Sequence, residues 1–455
     1  MSRYPLLVLA GLALLPSACA SYHPAPLRKA NAVLADPDRA VLCADAAALK
    51  RPYLSAQSID LEAPLTPDAL ALIALLENPD IKAQRVAVGV TDAQAFAARL
   101  LPDPQVQGSI DKLIAGPDPY NAYGTQFALD LSQLRSARVI RQQGEASKRQ
   151  VRLDLAWAEW QVAGQARLQG VRIAALETQL GLAEQSAQSA EALLTSAMQA
   201  ASRGDLGGAD VDTRRQAALD AGAKLRAVQG DLLTARGELN RLLGLPPHLV
   251  LKLAAVSDPR PAPDADALVA KALEQRLDLA ALRAGYDSAE ASVHKAVLDQ
   301  FPNLSISMSA SRDTSANTTL GPSVGFTLPA WNRNRGGIAI AKATRAQLQA
   351  EYEARQFQTR AEITAAVRSL ANLRRQKADL LGRMPAIAAF AQSSQLAASH
   401  GDLARATALT ALQSLRDRQM ALAQIDQQIA EQTIALELLS GGLMATGPTA
   451  SDKLQ

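Results

Sequence analysis

Gly321-Pro322-Ser323-Val324-Gly325 has the spacing of a nucleophile elbow. In that chemistry a serine at a sharp strand-to-helix turn attacks an acyl carbon, assisted by a histidine and an acid. The neighbouring residues argue otherwise. Val324, Phe326 and Leu328 alternate with Ser323, Gly325 and Thr327, which puts the serine inside a strand. The four histidines, His23, His248, His294 and His400, show no metal-ligand spacing. Arg203-Gly204-Asp205 reads as a turn rather than an adhesion motif. No Walker loop, Gly-rich dinucleotide loop or Cys-x-x-Cys occurs. No enzyme, cofactor or metal site is expected.

The remaining chemistry is a thiol near the start. Arg3 is followed by an apolar stretch, Leu6 to Leu15, too short to cross a membrane. Leu15-Pro16-Ser17-Ala18-Cys19 comes next, and the whole reads as an export signal. It resembles a lipoprotein lipobox, in which Cys19 becomes the acylated (palmitate-bearing) first residue, although Leu15 stands one place early. Ala20 after the cysteine resembles an outer-membrane sorting pattern. The alternative is ordinary cleavage after Ala20. Cys43 is the only other cysteine. A bridge to Cys19 is chemically possible in an oxidising periplasm, but Cys43 is expected to be a free, partly buried thiol.

The elements that carry these residues follow from the bulk pattern. The chain has 455 residues, net charge +3 and 4% aromatics. Near-balanced charge gives no pointer to nucleic acid or an acidic polymer. Abundant Ala, Leu and Gln mixed with charge suit long helices. After the signal no run of 18 apolar residues remains. Any membrane crossing therefore needs a β-barrel, the other structure that satisfies every backbone group.

The chain overlays itself at a shift of roughly 198 residues. Asp80-Ile81-Lys82-Ala83 falls on Asp278-Leu279-Ala280-Ala281, and Gly204-Asp205-Leu206 on Gly401-Asp402-Leu403. Leu225, Val228, Leu232, Ala235, Leu239 and Leu242 form a heptad seam. Leu422, Ile425, Ile429, Gln432, Leu436 and Leu439 repeat it 197 residues later. Each half predicts a short helix, a helix of about 20 residues, two strands, a very long helix, a Gly-Asp-Leu tip and a return helix. The medium helices are expected over Asp80 to Leu101 and Asp278 to Gln300. Pro246-Pro247 through Pro263 reads as an extended linker between halves. The predicted division is 1–18 signal peptide, 19–60 N-terminal extension, 61–255 first repeat, 256–445 second repeat and 446–455 polar tail.

Period-2 patterning marks four strands, two per half. Leu304, Ile306, Met308 and Ala310 alternate with serines. Tyr123, Thr125, Phe127, Leu129 and Leu131 alternate with Ala122, Gly124, Gln126, Ala128 and Asp130. Such segments suit an outer-membrane barrel, apolar face to lipid and polar face to an aqueous lumen. Two hairpins covering a soluble core are the alternative. Four strands cannot close a usable barrel, but three copies supply twelve. The long helices are expected over Leu134 to Ser202 and Arg335 to Ser399, with a kink or local break at Pro385. Helices of that length need a coiled-coil partner or a helical tube. Trp157 and Trp160 read as packing residues rather than a ligand stack.

The ordered set of motifs resembles the TolC-like outer-membrane factors, over roughly residues 60 to 443. Leu76-Glu77-Asn78-Pro79-Asp80 and Leu273-Glu274-Gln275-Arg276-Leu277-Asp278-Leu279 resemble the family's segments near the start of each repeat. Leu328-Pro329-Ala330-Trp331-Asn332-Arg333-Asn334-Arg335-Gly336 resembles its strand-to-helix junction, and Leu242-Leu243-Gly244-Leu245-Pro246-Pro247 the end of its first repeat. The resemblance implies a mainly α fold with a small membrane β-barrel, a tandem-duplicated long-helix tunnel, and a homotrimer with a 12-stranded barrel. It implies an outer-membrane efflux conduit fed by a periplasmic adaptor and an inner-membrane pump of RND type. Gly204, Leu206, Gly401 and Leu403 match the adaptor-docking tips. Asp205, Asp210 and Asp402 would form the periplasmic gate, or else cap helix N-termini. At the second tip Thr407 and Thr410 stand where Asp210 stands in the first. A periplasmic coiled-coil scaffold lipoprotein without a pore is the competing reading.

Overall fold

A computed structural model describes residues 22–27, 29–30, 37–49, 51, 54, 57–254 and 263–443. The expected export signal, Cys19 and the polar tail lie outside the described residues. The chain divides into a short unit, 1–37, and a large one, 38–455. In the short unit, residues 22–27 are irregular and exposed. All that follows concerns the large unit.

Its elements come in a doubled series. A preceding helix, α1 (Arg39–Ala48), stands outside it. The first series is α2 (Pro67–Glu77), α3 (Pro79–Ala97), β1 (Gln105–Asp111), β2 (Ala122–Asp130), α4 (Ser132–Ser202) and α5 (Gly208–Leu243). The second is α6 (Ala265–Gln275), α7 (Leu277–Leu298), β3 (Leu304–Arg312), β4 (Thr318–Phe326), α8 (Arg335–His400) and α9 (Arg405–Ser440). The long helices, α4 and α8, have 71 and 66 residues. At a rise of ~1.5 Å per residue each is roughly 100 Å long. Such rods bury little of themselves, so their stability must come from lateral partners. Helix α4 packs on α2, α3, α5, α7 and α9, and α8 packs on α6, α7 and α9.

The heptad seams face inward as their spacing requires. Val228, Leu232, Ala235, Leu239 and Leu242 are buried in the main core with Leu70, Ile73 and Ile173. Ile429 and Leu436 are buried against Ile363, Ala366 and Leu370, with Ile425 and Leu439 half-buried beside them. Gln432, the polar member of the second seam, donates to the Ala366 carbonyl at 3.4 Å.

Both halves close by the same corner. Asn78 caps α3 by accepting from the Ile81 N–H at 2.9 Å. Its amide donates to the Leu242 carbonyl near the end of α5 at 2.8 Å. Arg276 stands at the equivalent corner and donates to the Leu439 carbonyl at 3.1 Å. Each return helix then ends on a left-handed glycine, Gly244 at φ 65° and Gly441 at φ 72°. A Cβ on Gly244 would lie 2.4 Å from the Glu77 carbonyl oxygen, so only glycine lets α5 end against this corner.

Two expectations are corrected, and a third, the extended linker, gains packing partners. Helix α8 is continuous through Pro385, so of the kink or local break expected there the break is absent. Pro385 and Leu381 are exposed, so the carbonyl that loses its donor there faces solvent. The medium helix expected to reach Leu101 ends at Ala97 in tighter turns, Leu100 N–H donating to the Ala97 carbonyl, because the approach to Pro102 disfavours helical backbone. The proline-rich linker is packed along its described start. Leu245 and Leu251 are buried, and Leu253 bridges to Leu65. Asn240 organises it by donating to the Leu249 carbonyl at 2.8 Å. Residues 255–262 of that stretch are outside the described set.

Gly244→Ala should reduce stability by about 2 kcal/mol or more, combining left-handed strain with a backbone clash. Gly230→Ala, where nothing lies within 4 Å, should change it by less than about 1 kcal/mol. Urea unfolding followed by circular dichroism compares the two, and equal effects would contradict the corner's role.

Candidate functional site: the two-faced sheet and the helical tips

The two hairpins join through β2 and β3 into one antiparallel sheet of order β1-β2-β3-β4. The pairing register decides its surfaces, since paired residues project to one side. Val106, Phe127, Met308 and Pro322 form one cross-sheet row, and Leu129, Ile306 and Val324 another. Leu304 pairs with Phe326 on that same side. Rows between them read Gln107, Gln126, Ser309 and Gly321, or Ala128, Ser307 and Ser323. One face is therefore apolar over its central and helix-proximal rows, turning mixed toward the loop end at Thr125, Arg312 and Thr318, and the other is small and polar. Val106 is 76% exposed and Val324 62%, so this apolar face covers no core of the chain's own. The alternative of hairpins roofing a soluble core does not fit this face.

The polar face is hydrogen-bonded across strands. The Gln126 amide donates to Ser307 Oγ at 3.0 Å, and the Ser307 and Ser323 hydroxyls lie 2.6 Å apart. Ser323, the apparent elbow serine, is thus one rung of a ladder in β4. The loops at the far end are also built. Asp313 accepts from the Asn317 and Ser315 backbone N–H groups at 2.8 and 3.0 Å. The Asn317 side chain adds a bond, and together these hold the Asp313 carboxyl below its ordinary pKa. Thr314 donates to Asp118 at 2.6 Å, joining the two hairpin loops.

At the other end of the long helices lie the tips. Gly204 and Gly401 have φ 81° and 83°. Asp205 N–H donates to the Ala200 carbonyl and Asp402 N–H to the Ala397 carbonyl, both at 2.9 Å. Gly204 and Gly401 N–H groups bond to Ala201 and Ala398. The two reversals are the same helix-ending motif, which needs a left-handed residue at the glycine. Leu206 packs against the cluster of Leu194, Ala197 and Val211. Leu403 is half-buried.

None of the tip acids is a side-chain N-cap, but Asp210 keeps the helix N-terminal part of the capping alternative. Helix α5 starts after Gly207 and α9 after Ala404, neither with a side-chain cap. Asp205 lies 3.4 Å from the exposed Arg203 guanidinium, and Asp210 sits in the first turn of α5, where the helix dipole favours an anion. Asp205, Asp210 and Asp402 all point into solvent.

Side-chain links that the sequence reading missed join the two helical hairpins. Gln413 of α9 donates to Ser186 of α4 at 2.6 Å, and Arg416 donates to the Gln185 carbonyl at 2.9 Å. Arg416 also bonds Ser189, and burial lowers its pKa from the ordinary arginine value. From this level both tips lie roughly 20–30 Å further along their helices, so they end at one side of the molecule. Nearer the sheet, Glu159 accepts from both Arg51 and Arg85, in a buried pairing that ties the N-terminal stretch to α4. Trp160 is buried and its indole N–H donates to Leu438 at 3.3 Å, while the Arg276 guanidinium stacks 4.9 Å from the Trp157 ring. Both tryptophans pack, as expected. Cys43 is a half-buried free thiol. Among the described residues no group of His, Cys, Asp and Glu could hold a metal, and no helix is long and apolar enough to cross a membrane.

Residues 268–442 match the family model described as outer membrane efflux protein. The chain is 26% identical over 287 residues to the cobalt-zinc-cadmium resistance protein CzcC of Cupriavidus metallidurans, covering 62% of this chain and 68% of that one. In fold it is similar to the outer-membrane channel OprN, with TM-score 0.68, 18% identity, and 92% and 98% of the two chains covered. The Campylobacter jejuni outer-membrane channel CmeC gives TM-score 0.68 at 13% identity, covering 96% and 97%. The match to outer membrane efflux proteins thus covers the second half of the chain, while the whole chain shares the fold of solved outer-membrane channels. A sheet with one apolar and one polar face on an otherwise helical chain is in keeping with that fold.

Met308→Arg, in the centre of the apolar face, should cost about 2–4 kcal/mol of insertion and deplete the protein from the outer-membrane fraction. Ser309→Arg, on the opposite face, should leave its recovery near wild type. Equal depletion of both would contradict the assignment of faces.

Proposed function

We propose that three copies of this chain close a 12-stranded barrel above a helical tunnel, forming the outer-membrane conduit of a tripartite efflux system. One observation carries the reading: an exposed, largely apolar sheet face ends in two strands, β1 and β4, each paired on one side only. In hydrocarbon such edges must find partners, and barrel closure with further copies supplies them. The repeats proposed are 61–255 and 256–445, which make the trimer's tunnel pseudo-sixfold. A periplasmic adaptor docks on the tips at Gly204, Leu206, Gly401 and Leu403, and an inner-membrane pump of RND type delivers substrate through it. Asp205, Asp210 and Asp402, all solvent-facing beside the reversals, line the resting entrance. Cys19 carries the acyl anchor.

The likeness to a cobalt-zinc-cadmium resistance protein favours divalent metal cations as cargo. The chain then conducts them without holding them, with selection left to the pump.

Purified protein in a planar bilayer should show discrete conductance, and substitutions that loosen the tips, such as Gly204→Pro with Gly401→Pro, should raise it. A folded trimer silent in both forms would remove the conduit reading and favour a scaffold lipoprotein. Loss of the gene should sensitise the host to zinc, cobalt and cadmium, restored by the wild-type chain. Radiolabelled palmitate should enter the wild type and not Cys19→Ala.

A further inference from the structure

The two halves differ most where strand becomes helix. In the first, only Leu131 separates β2 from α4. In the second, eight residues, 327–334, separate β4 from α8. This extra segment is held in an unusual shape. Arg333 and Asn334 are consecutive left-handed residues at φ 46° and 50°. Such a conformation is uncommon for non-glycine residues, so a pair of them points to a constrained function. Asn334 fixes it, its amide donating to the Ala296 carbonyl in the last turn of α7 at 2.8 Å. Arg335 N–H donates back to the Asn332 carbonyl at 3.0 Å. The result is a rigid corner from which Trp331 projects, 92% exposed.

Its position gives that exposure a meaning. A nine-residue strand is the length that crosses a hydrocarbon core when tilted, so the ends of β3 and β4 lie near headgroup depth. Leu328 continues the alternation of Val324 and Phe326, and it is also exposed. Leu100, Leu101 and Phe301 are exposed at the same end of the sheet. Around them stand Arg138, Arg333 and Arg335, exposed and without an ion pair among the described residues. Nearby acids are largely engaged: Asp130 accepts from Ser132, and Asp299 pairs with Lys295. Asp103 is the exposed acid that remains. The loop end differs, with Asp111, Asp118 and Asp313 against Lys112 and Arg312.

We propose that this corner is a membrane-surface anchor for the periplasmic leaflet. Trp331 and Leu328 enter the headgroup boundary, where an indole is favoured for having one apolar and one polar side. Arg333, Arg335 and Arg138 take the phosphates of anionic phospholipids. The segment fixes the depth of the sheet and, occurring once per chain, breaks the symmetry of the repeats at the barrel base. The inference rests on the reading of the sheet as membrane barrel, and it is continuous with the apolar face.

The test uses the full-length protein in vesicles of phosphatidylcholine and phosphatidylglycerol, some with acyl chains brominated near the glycerol. Emission that Trp331→Phe removes should be mostly quenched in wild type by the brominated lipid. Phosphatidylglycerol should be enriched over phosphatidylcholine on detergent-extracted protein. The enrichment should fall to parity in Arg138→Gln/Arg333→Gln/Arg335→Gln, with conductance retained. Unquenched Trp331 in conducting vesicles would overturn the anchor alone, and point to packing against a second copy or the lumen. Persistent enrichment in the triple variant would overturn the phosphate contacts. Quenching without conductance would support the anchor while sinking the channel, and protein that stays off the vesicles would sink both.

Discussion

An unpaired backbone amide has no partner in hydrocarbon, and each one left there costs several kcal/mol. This chain presents a four-stranded sheet with an exposed apolar face and two half-paired edges. The rest of the architecture follows from that condition. A sheet this small cannot curl closed on itself, and the proposed conduit therefore needs further copies to close it. In that proposal, rods of 71 and 66 residues would hold the copies at a fixed spacing over a long lever.

The repeat is more than a resemblance of element order. Its two halves reuse the same physical solutions at the same places. A polar side chain at the helix-helix corner holds a carbonyl of the returning helix, once through Asn78 and once through Arg276. A left-handed glycine ends each return helix, and another turns each tip. Where the halves part, a charge or a conformation changes. Arg276 can reach both Asp278 and the Trp157 ring, which Asn78 has no length to do. The second strand-to-helix junction acquires two left-handed residues that the first lacks.

Polar links run along the whole contact between the long hairpins, from Arg167–Glu437 and Gln179–Gln427 to the Gln413 and Arg416 bonds nearer the tips. Arg416 and Gln413 reach across to Gln185 and Ser186, where apolar packing alone would allow the helices to slide. Buried hydrogen bonds of this kind specify register because a shift leaves the donors unsatisfied. None was legible beforehand: a glutamine or arginine on a polar helix face looks the same whether it meets water or a neighbouring backbone.

Local patterning determined a great deal. Period-2 alternation marked all four strands, heptad spacing marked the seams, and Gly204 and Gly401 marked the reversals, because each depends on residues near in sequence. The same reasoning overran α3, whose end is decided by an approaching proline, and it expected a kink or local break at Pro385. There the helix stays continuous, on a stretch where Leu381 and Pro385 are both exposed. Alternation could say that each strand had an apolar side, but not that four such sides coincide. That required the pairing register, a relation between residues up to roughly 200 apart, which only the folded chain sets. The exposure of Trp331 was likewise undecidable from its type, because a tryptophan's surroundings depend on where the chain turns, and here two left-handed residues turn it outward.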